Sequence, residues 1–218
     1  MRIVAPPGVF RPRSDSWMLA EIVQREVLPG SRVLDLCTGS GAIAIAAALG
    51  GAGEVTAVDV SRRSAATVRL NAALNGVRVR ALRGDLFQPV GDRRFDAIFS
   101  NPPYLPSLPS ATDGLPERGP ERAWEGGGDG RAFIDRIIDA APAHLRPGGS
   151  LWIIHSSVCG IEETLAGCRE AGLEAQVEER HIGPPGPILA ARSPTLQKEE
   201  IAVIKAVAML KTQLSGIR

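Results

Sequence analysis

Short apolar runs and helix-like segments alternate along this chain, and that alternation constrains its fold more than any other feature. Residues 32–37 (RVLDLC), 54–60 (EVTAVDV), 95–100 (FDAIFS) and 151–155 (LWIIH) each read as a buried strand. Residues 77–83 alternate apolar and basic side chains, as an outer strand does. A helix capped by Ser14 or Asp15 is predicted to run to about residue 28, stopped by Pro29-Gly30. Further helices are predicted over 42–49, over 61–74 with Ser61 as cap and Asn75-Gly76 as stop, over 133–145 and over 161–171. Residues 173–182 read as a strand. Residues 200–207 read as a strand or as part of a terminal helix, and the alternation of β-branched residues favours the strand. The pattern predicts an α/β protein: a doubly wound, mostly parallel sheet with helices on both faces.

Composition narrows the function classes. The 44% hydrophobic content supports a sizeable core, and a formal net charge of +1 neither demands nor excludes nucleic acid. Three scattered histidines and three cysteines without a close pair form no metal-ligand pattern, so no metal is expected. Sparse, odd cysteine usage suits a reducing cytoplasm. No run of about 18 apolar residues offers a membrane span.

Two stretches carry chemistry. The first, DLCTGSGAIA (35–44), joins the first strand to its helix. Glycines there let the backbone turn tightly and approach a ligand at the carboxyl edge of the sheet. Asp59, ending the second strand, can accept hydrogen bonds from two ribose hydroxyls. Asp85, after the third strand, can accept from an adenine amino group, or it is a turn aspartate. Gly39 to Ala44 also fits the G-x-G-x-x-A dinucleotide fingerprint, so a nicotinamide-dependent oxidoreductase is an alternative.

The second stretch is SNPPY (100–104), where Asn101-Pro102-Pro103-Tyr104 breaks a core strand. A residue before proline is pushed to extended geometry, and proline has no donor to offer. The Asn101 side-chain carbonyl and a nearby main-chain carbonyl can then converge on one planar NH2 group, with Tyr104 stacking on it. Two such acceptors would draw electron density onto a delocalised nitrogen and stabilise the charge that develops there. Orientation, rather than a strong base, would carry the rate.

With both stretches in place, the chain resembles class I S-adenosylmethionine-dependent methyltransferases, and in particular the HemK or release-factor glutamine methyltransferases. The resemblance rests on VFRPRSDSWML (9–19), VLDLCTGSGAIAIA (33–46), VTAVDVS (55–61), Asp85, FDAIFSNPPY (95–104) and AWEGGGDGRAFIDR (123–136). The last segment, with EEIAVIKA (199–206), is most similar to the short form that lacks an N-terminal helical domain. It implies seven strands with the last antiparallel, a segment over 1–30 that closes over the cofactor, and a catalytic domain over 31–218. It implies that Asp35, Thr38, Gly39 and Gly41 cradle the methionine part of S-adenosyl-L-methionine, that Asp59 and Val60 hold the ribose, and that Asp85 and Leu86 hold the adenine. Asn101 would sit between cofactor and substrate, with Asp15 and Ser16 in the closing stretch. The sequence departs from the family at Cys37, which stands where the cofactor turn usually has its first glycine.

The expected reaction is methyl transfer to the side-chain nitrogen of a glutamine in a translation release factor. Methylation of adenine N6 in DNA or RNA is the alternative, and a basic face around Arg11, Arg13, Arg118, Arg122 and Arg131 would favour it. A non-catalytic partner subunit with the same fold is a further alternative. The resemblance also admits a small zinc-binding activator as partner. The loop 105–128 is expected to set substrate choice, with Trp124 as loop anchor or substrate contact.

Overall fold

The computed structural model describes residues 1–107 and 120–209. Seven strands form one sheet: β1 (Arg32–Leu36), β2 (Glu54–Asp59), β3 (Arg80–Arg83), β4 (Phe95–Ser100), β5 (Leu145–Ser156), β6 (Leu173–Gly183) and β7 (Glu199–Ala208). Their order is β3-β2-β1-β4-β5-β7-β6. The pairs from β3 to β5 are parallel, and β7 lies antiparallel between β5 and β6. The doubly wound sheet, its antiparallel last strand and the choice of strand over 200–207 are therefore as expected.

Helices cover both faces. On one side α1 (Ser14–Glu26), α2 (Ala42–Leu49) and α3 (Arg62–Leu74) bury Leu19, Ile22, Ile43 and Val68 against Val33, Val55, Phe99 and Trp152. On the other, α4 (Ala132–His144) and α5 (Ile161–Glu170) bury Ile134, Ile137, Ile138 and Cys168 against Leu34, Leu36, Ile98 and Ile153. Successive residues of β1 enter opposite clusters, Val33 the first and Leu34 the second, as a pleated strand covered on both faces requires.

Several boundaries differ from the sequence reading. β3 begins at Arg80 rather than 77, because the Val77 N–H donates instead to the Ala72 carbonyl (3.0 Å), closing α3. β5 begins at Leu145, before the Pro-Gly-Gly turn expected to precede it. Leu145 pairs with Phe95 and Ser150 with Ala97, so residues 146–149 form a bulge within the strand. Gly149 permits the bulge, since a β-carbon there would lie 3.0 Å from the Phe95 carbonyl oxygen. The first helix starts at Ser14 and is capped from inside: the Ser16 hydroxyl accepts the Arg13 N–H at 3.2 Å, and neither Ser14 nor Asp15 is the cap residue. A short helix, α6 (Pro187–Arg192), has no counterpart in the sequence reading, although Pro187 opens its first turn in the usual way. Ser61 does cap α3, accepting the Ser64 N–H.

The first residues run as an extended strap along α3. Asn71 accepts the Val4 N–H (3.0 Å) and donates to the carbonyls of Val4 (2.8 Å) and Ser40 (2.9 Å). Asn75 does the same for Arg2, at 2.7 and 2.6 Å. The match is geometric: four helical residues rise about 6 Å, and two extended residues span about 6.6 Å. Asn71 is fully buried, so Asn71→Ala should cost about 2 kcal/mol and loosen the strap, opening the Arg2–Ile3 and Arg13–Ser14 bonds to trypsin. Asn75→Ala, at a less buried position, should cost less than half as much. Urea denaturation and limited proteolysis measure both.

Candidate active site

The carboxyl ends of β1, β2, β3 and β4 converge on one edge of the sheet, where their turns meet the strap and the first turn of α1. Asp35, on the α2 face of β1, is fully buried. One of its oxygens accepts the Thr38 hydroxyl (2.5 Å) and the Ala44 N–H (3.1 Å), which locks the turn to the start of α2. Its other oxygen is buried without a partner. Burial is the main cause that pushes the Asp35 carboxyl up to about 7, and the neighbouring Asp59 adds to the shift.

Asp59 closes the turn from the β2 side, accepting the Gly39 N–H (2.9 Å) and the Ser61 N–H (2.8 Å) on separate oxygens. Burial raises its pKa as well. Gly39 and Gly41 both take left-handed φ, of 55° and 87°. Neither has room for a side chain: a β-carbon would meet Phe10 at 3.2 Å and Val68 at 3.0 Å. Cys37 and Leu86 are the described non-glycine residues with positive φ, 57° and 43°, and each follows a strand at this edge. Cys37 is a packing residue of the α4-side cluster, and burial drives its thiol far above the usual range.

Asn101 comes off β4 beside this turn. Its NH2 group donates to Asp15 Oδ2 and Ser16 Oγ, each at 3.1 Å. A carboxylate can only accept, so the amide has one orientation, and its carbonyl oxygen faces away from α1. The Tyr104 hydroxyl donates to the same Asp15 oxygen at 3.0 Å. Burial raises the Tyr104 pKa, and the Asp15 charge adds to it. Phe10, Pro12, Ser16, Cys37, Thr38 and Asn101 line a narrow gap between strap and turn. Pro102 is buried, while Pro103 and Tyr104 are half-buried.

Asp85 and Leu86 lie to one side, on a wider cleft of about 470 Å³ between the turn after β3 and α4. Asp85 pairs with Arg136 across this cleft at 2.6 Å. Val60 presents its carbonyl to Arg83 Nε at 3.3 Å. Among the described residues no cluster of three or more His, Cys, Asp or Glu is arranged to hold a metal ion. No described helix is long and apolar enough to cross a membrane.

A second set of residues holds the segment after Tyr104; sequence reasoning offered Trp124 as loop anchor or substrate contact and missed the roles of Glu125, Gly130, Cys159 and Arg192 in it. Leu105 and Glu125 form an isolated bridge, and Trp124 anchors it by accepting the Leu105 N–H at 2.7 Å. The Trp124 Nε1–H is buried without a partner. Glu125 accepts the Ser107 hydroxyl (2.6 Å) and pairs with Arg192 of α6, which also donates to the Pro106 carbonyl (2.8 Å). The Tyr104 carbonyl accepts from the Cys159 thiol at 2.8 Å, and only glycine fits at 130, where a β-carbon would collide with that carbonyl. Arg118 lies outside the described residues. Arg131 is no part of a basic face: its guanidinium is engaged by Asp135, Thr164 and the carbonyls of Cys159 and Gly160.

A family model described as "Methyltransferase small domain" matches residues 1–113. A putative protein N5-glutamine methyltransferase of Methanocaldococcus jannaschii is 33% identical over 174 residues, covering 80% of this chain and 85% of that one. This chain belongs to the family of release-factor and protein-glutamine methyltransferases. A release factor glutamine methyltransferase of Geobacter sulfurreducens is 40% identical over 168 residues, which cover 75% of this chain but only 58% of the relative's length. Among solved structures, the E. cuniculi Mtq2–Trm112 complex, responsible for methylation of the eRF1 termination factor, aligns with a TM-score of 0.65. That alignment covers 92% of this chain and 99% of the other at 24% identity, and it speaks for the fold. Family membership sets the nicotinamide reading aside.

Two outcomes follow. An acid whose folded pKa is raised binds extra protons in the fold between its unfolded and folded values. Asp35 therefore makes the ligand-free protein lose stability as pH rises from about 4 to 7, by about 3 kcal/mol in all. Asp35→Asn should flatten that part of the profile, as urea denaturation at several pH values would record. Separately, Arg192→Ala should cost about 3 kcal/mol by stranding Glu125, and adding Glu125→Gln should recover part of that loss in a double-mutant cycle.

Proposed function

We propose that this protein transfers a methyl group from S-adenosyl-L-methionine to the side-chain amide nitrogen of a glutamine in a translation release factor. The observation that carries the reading is the fixed Asn101 amide. Its two protons are held by Asp15 and Ser16, so its oxygen is left as an acceptor at the end of β4. The glutamine functions named for the Geobacter and Methanocaldococcus relatives support the choice of acceptor.

The residues fit the cofactor. The orphaned Asp35 oxygen suits an ammonium group, and the glycines at 39 and 41 bring backbone close to whatever fills the turn. Asp35, Thr38, Gly39 and Gly41 would hold the methionine end; Asp59 and Val60 the ribose; Asp85 and Leu86 the adenine. S-adenosyl-L-methionine supplies an electrophilic methyl group on a sulfonium. Asn101 and the Pro102 carbonyl would each accept one N–H of the target amide and aim its lone pair, with Pro103 and Tyr104 shaping that edge. As the bond from nitrogen to the methyl carbon formed and that carbon's bond to the sulfonium broke, releasing the thioether, the nitrogen would gain positive charge, which these acceptors would stabilise before the proton passed to water. Asp15 acts one step back: it holds Asn101 and Tyr104 in register. We also propose that residues 1–30 serve as the closing segment over the catalytic domain at 31–218. The E. cuniculi neighbour is a two-protein complex, which supports a small partner subunit here.

Incubating the protein and S-adenosyl-L-methionine with release factor from the same cell should add one methyl group at a glutamine, read by mass spectrometry. Asn101→Ala should lower kcat by about 10²- to 10³-fold, and Asp15→Ala should lower it with little change in cofactor binding. Methylation of adenine oligonucleotides but no release factor would sink the acceptor assignment.

A further inference from the structure

β6 and β7 are antiparallel neighbours, and Gly183 at the end of one pairs with Glu199 at the start of the other. Strands so arranged can be joined by a turn of two residues. Here residues 184–198 intervene and carry α6. The excursion is tied to its own base, where the Gly186 N–H donates to the Glu199 carboxylate at 2.9 Å. Among the described hydrogen bonds, it reaches beyond that base only through Arg192. One nitrogen of the guanidinium donates to the Pro106 carbonyl at 2.8 Å, and the other pairs with Glu125. The two side chains are 14% and 8% exposed, so the pair is well shielded from water. Glu125 also accepts the Ser107 hydroxyl.

Pro106 and Ser107 continue the segment that begins at Asn101. Prolines at 102, 103 and 106 fix their own φ and hold residues 101, 102 and 105 extended, so the segment transmits a displacement rather than absorbing it. It is held at three points. Asp15 grips the Asn101 amide and the Tyr104 hydroxyl, the Cys159 thiol donates to the Tyr104 carbonyl, and Arg192 takes the far end. We propose that Arg192 is a positioning residue for methyl transfer. By fixing the far end of this stiff segment, it sets the angle at which the Asn101 side-chain carbonyl and the Pro102 carbonyl meet the acceptor amide. The proposal rests on the glutamine reading, since it concerns how that amide is held. Stability alone accounts poorly for the arrangement: apolar residues of similar volume often replace a buried ion pair at no cost, without so long an excursion to deliver one. Arginine suits the task because its planar fork engages a carbonyl and a carboxylate at once.

The test compares wild type with Arg192→Lys and with Glu125→Gln/Arg192→Met. Lysine keeps a positive charge beside Glu125 but replaces the fork by a single point of contact. The double variant removes the pair without stranding either charge, so it serves if the lysine variant is unstable. Both should bind S-adenosylhomocysteine with wild-type affinity and stoichiometry by calorimetry. With release factor as acceptor, kcat should fall about tenfold or more while KM changes less than about threefold. Hydrogen exchange needs no acceptor. The Leu105 and Ser107 N–H groups, bonded to the Trp124 and Gly127 carbonyls, should exchange about tenfold faster, while those of β1 and β5 keep their rates. Unchanged exchange at Leu105 and Ser107 would overturn the proposal whatever the acceptor. So would wild-type kcat in the variants, or a loss of activity matched by lost S-adenosylhomocysteine stoichiometry and faster exchange throughout the sheet, which marks a purely structural pair. A wild type that transfers nothing to release factor would sink the glutamine reading, and this proposal with it.

Discussion

The Asp15 carboxylate ties the active edge together. It is 8% exposed and receives four donors: the Ser16 N–H and hydroxyl on one oxygen, the Asn101 amide and Tyr104 hydroxyl on the other. These contacts join the first turn of α1 to the end of β4 across more than eighty residues of chain. Charge-assisted bonds of this kind are roughly twice as strong as neutral ones. Buried together, they also set direction. Without Asp15 the Asn101 amide could rotate by half a turn and present donors where acceptors are needed. The prolines and the carboxylate therefore act in concert. Pro102 and Pro103 end the strand and stiffen it, and Asp15 chooses which way its polar group points.

Backbone strain is concentrated at the same edge. Cys37 and Leu86 hold left-handed geometry that costs a non-glycine residue about 1–3 kcal/mol, and both follow strands whose ends line the two clefts. β1, which precedes Cys37, is buried and paired on both sides, whereas β3, which precedes Leu86, is an edge strand paired with β2 alone. Cys37 takes a left-handed geometry that glycine adopts freely, and it adds a small side chain packed against the core.

The strands, the helices between them and the glycine turn after β1 were legible because each rests on local pattern: apolar runs, caps and glycines. Failures came where tertiary pairing decided. Val77 reads as strand by alternation but is claimed by the end of α3, and Leu145 reads as helix end but is claimed by Phe95. Arg131 looks like a surface charge in sequence, yet four acceptors from three elements bury it. The Glu125–Arg192 pair spans 67 positions, and no local signal links its partners. Asp85 reads in sequence as an acceptor for adenine; the fold adds Arg136 as its neighbour, which neutralises the carboxylate while leaving it on the cleft.

The edge also holds charge that the fold alone does not satisfy. Asp35 and Asp59 are both raised in pKa, chiefly by burial, and the Asp59 charge further disfavours ionising Asp35. Asp59 is compensated by two backbone donors, whereas Asp35 keeps one oxygen with no partner at all. Leaving such an oxygen unpaired costs about 1–3 kcal/mol or more, and an apolar replacement would strand the Thr38 hydroxyl and the Ala44 N–H that the other oxygen accepts. A cation placed against the free oxygen removes that cost instead, and draws the carboxylate back to its charged form. The turn thus suits the positively charged ligand proposed above, whose binding would return as affinity the stability that the free oxygen withholds from the fold.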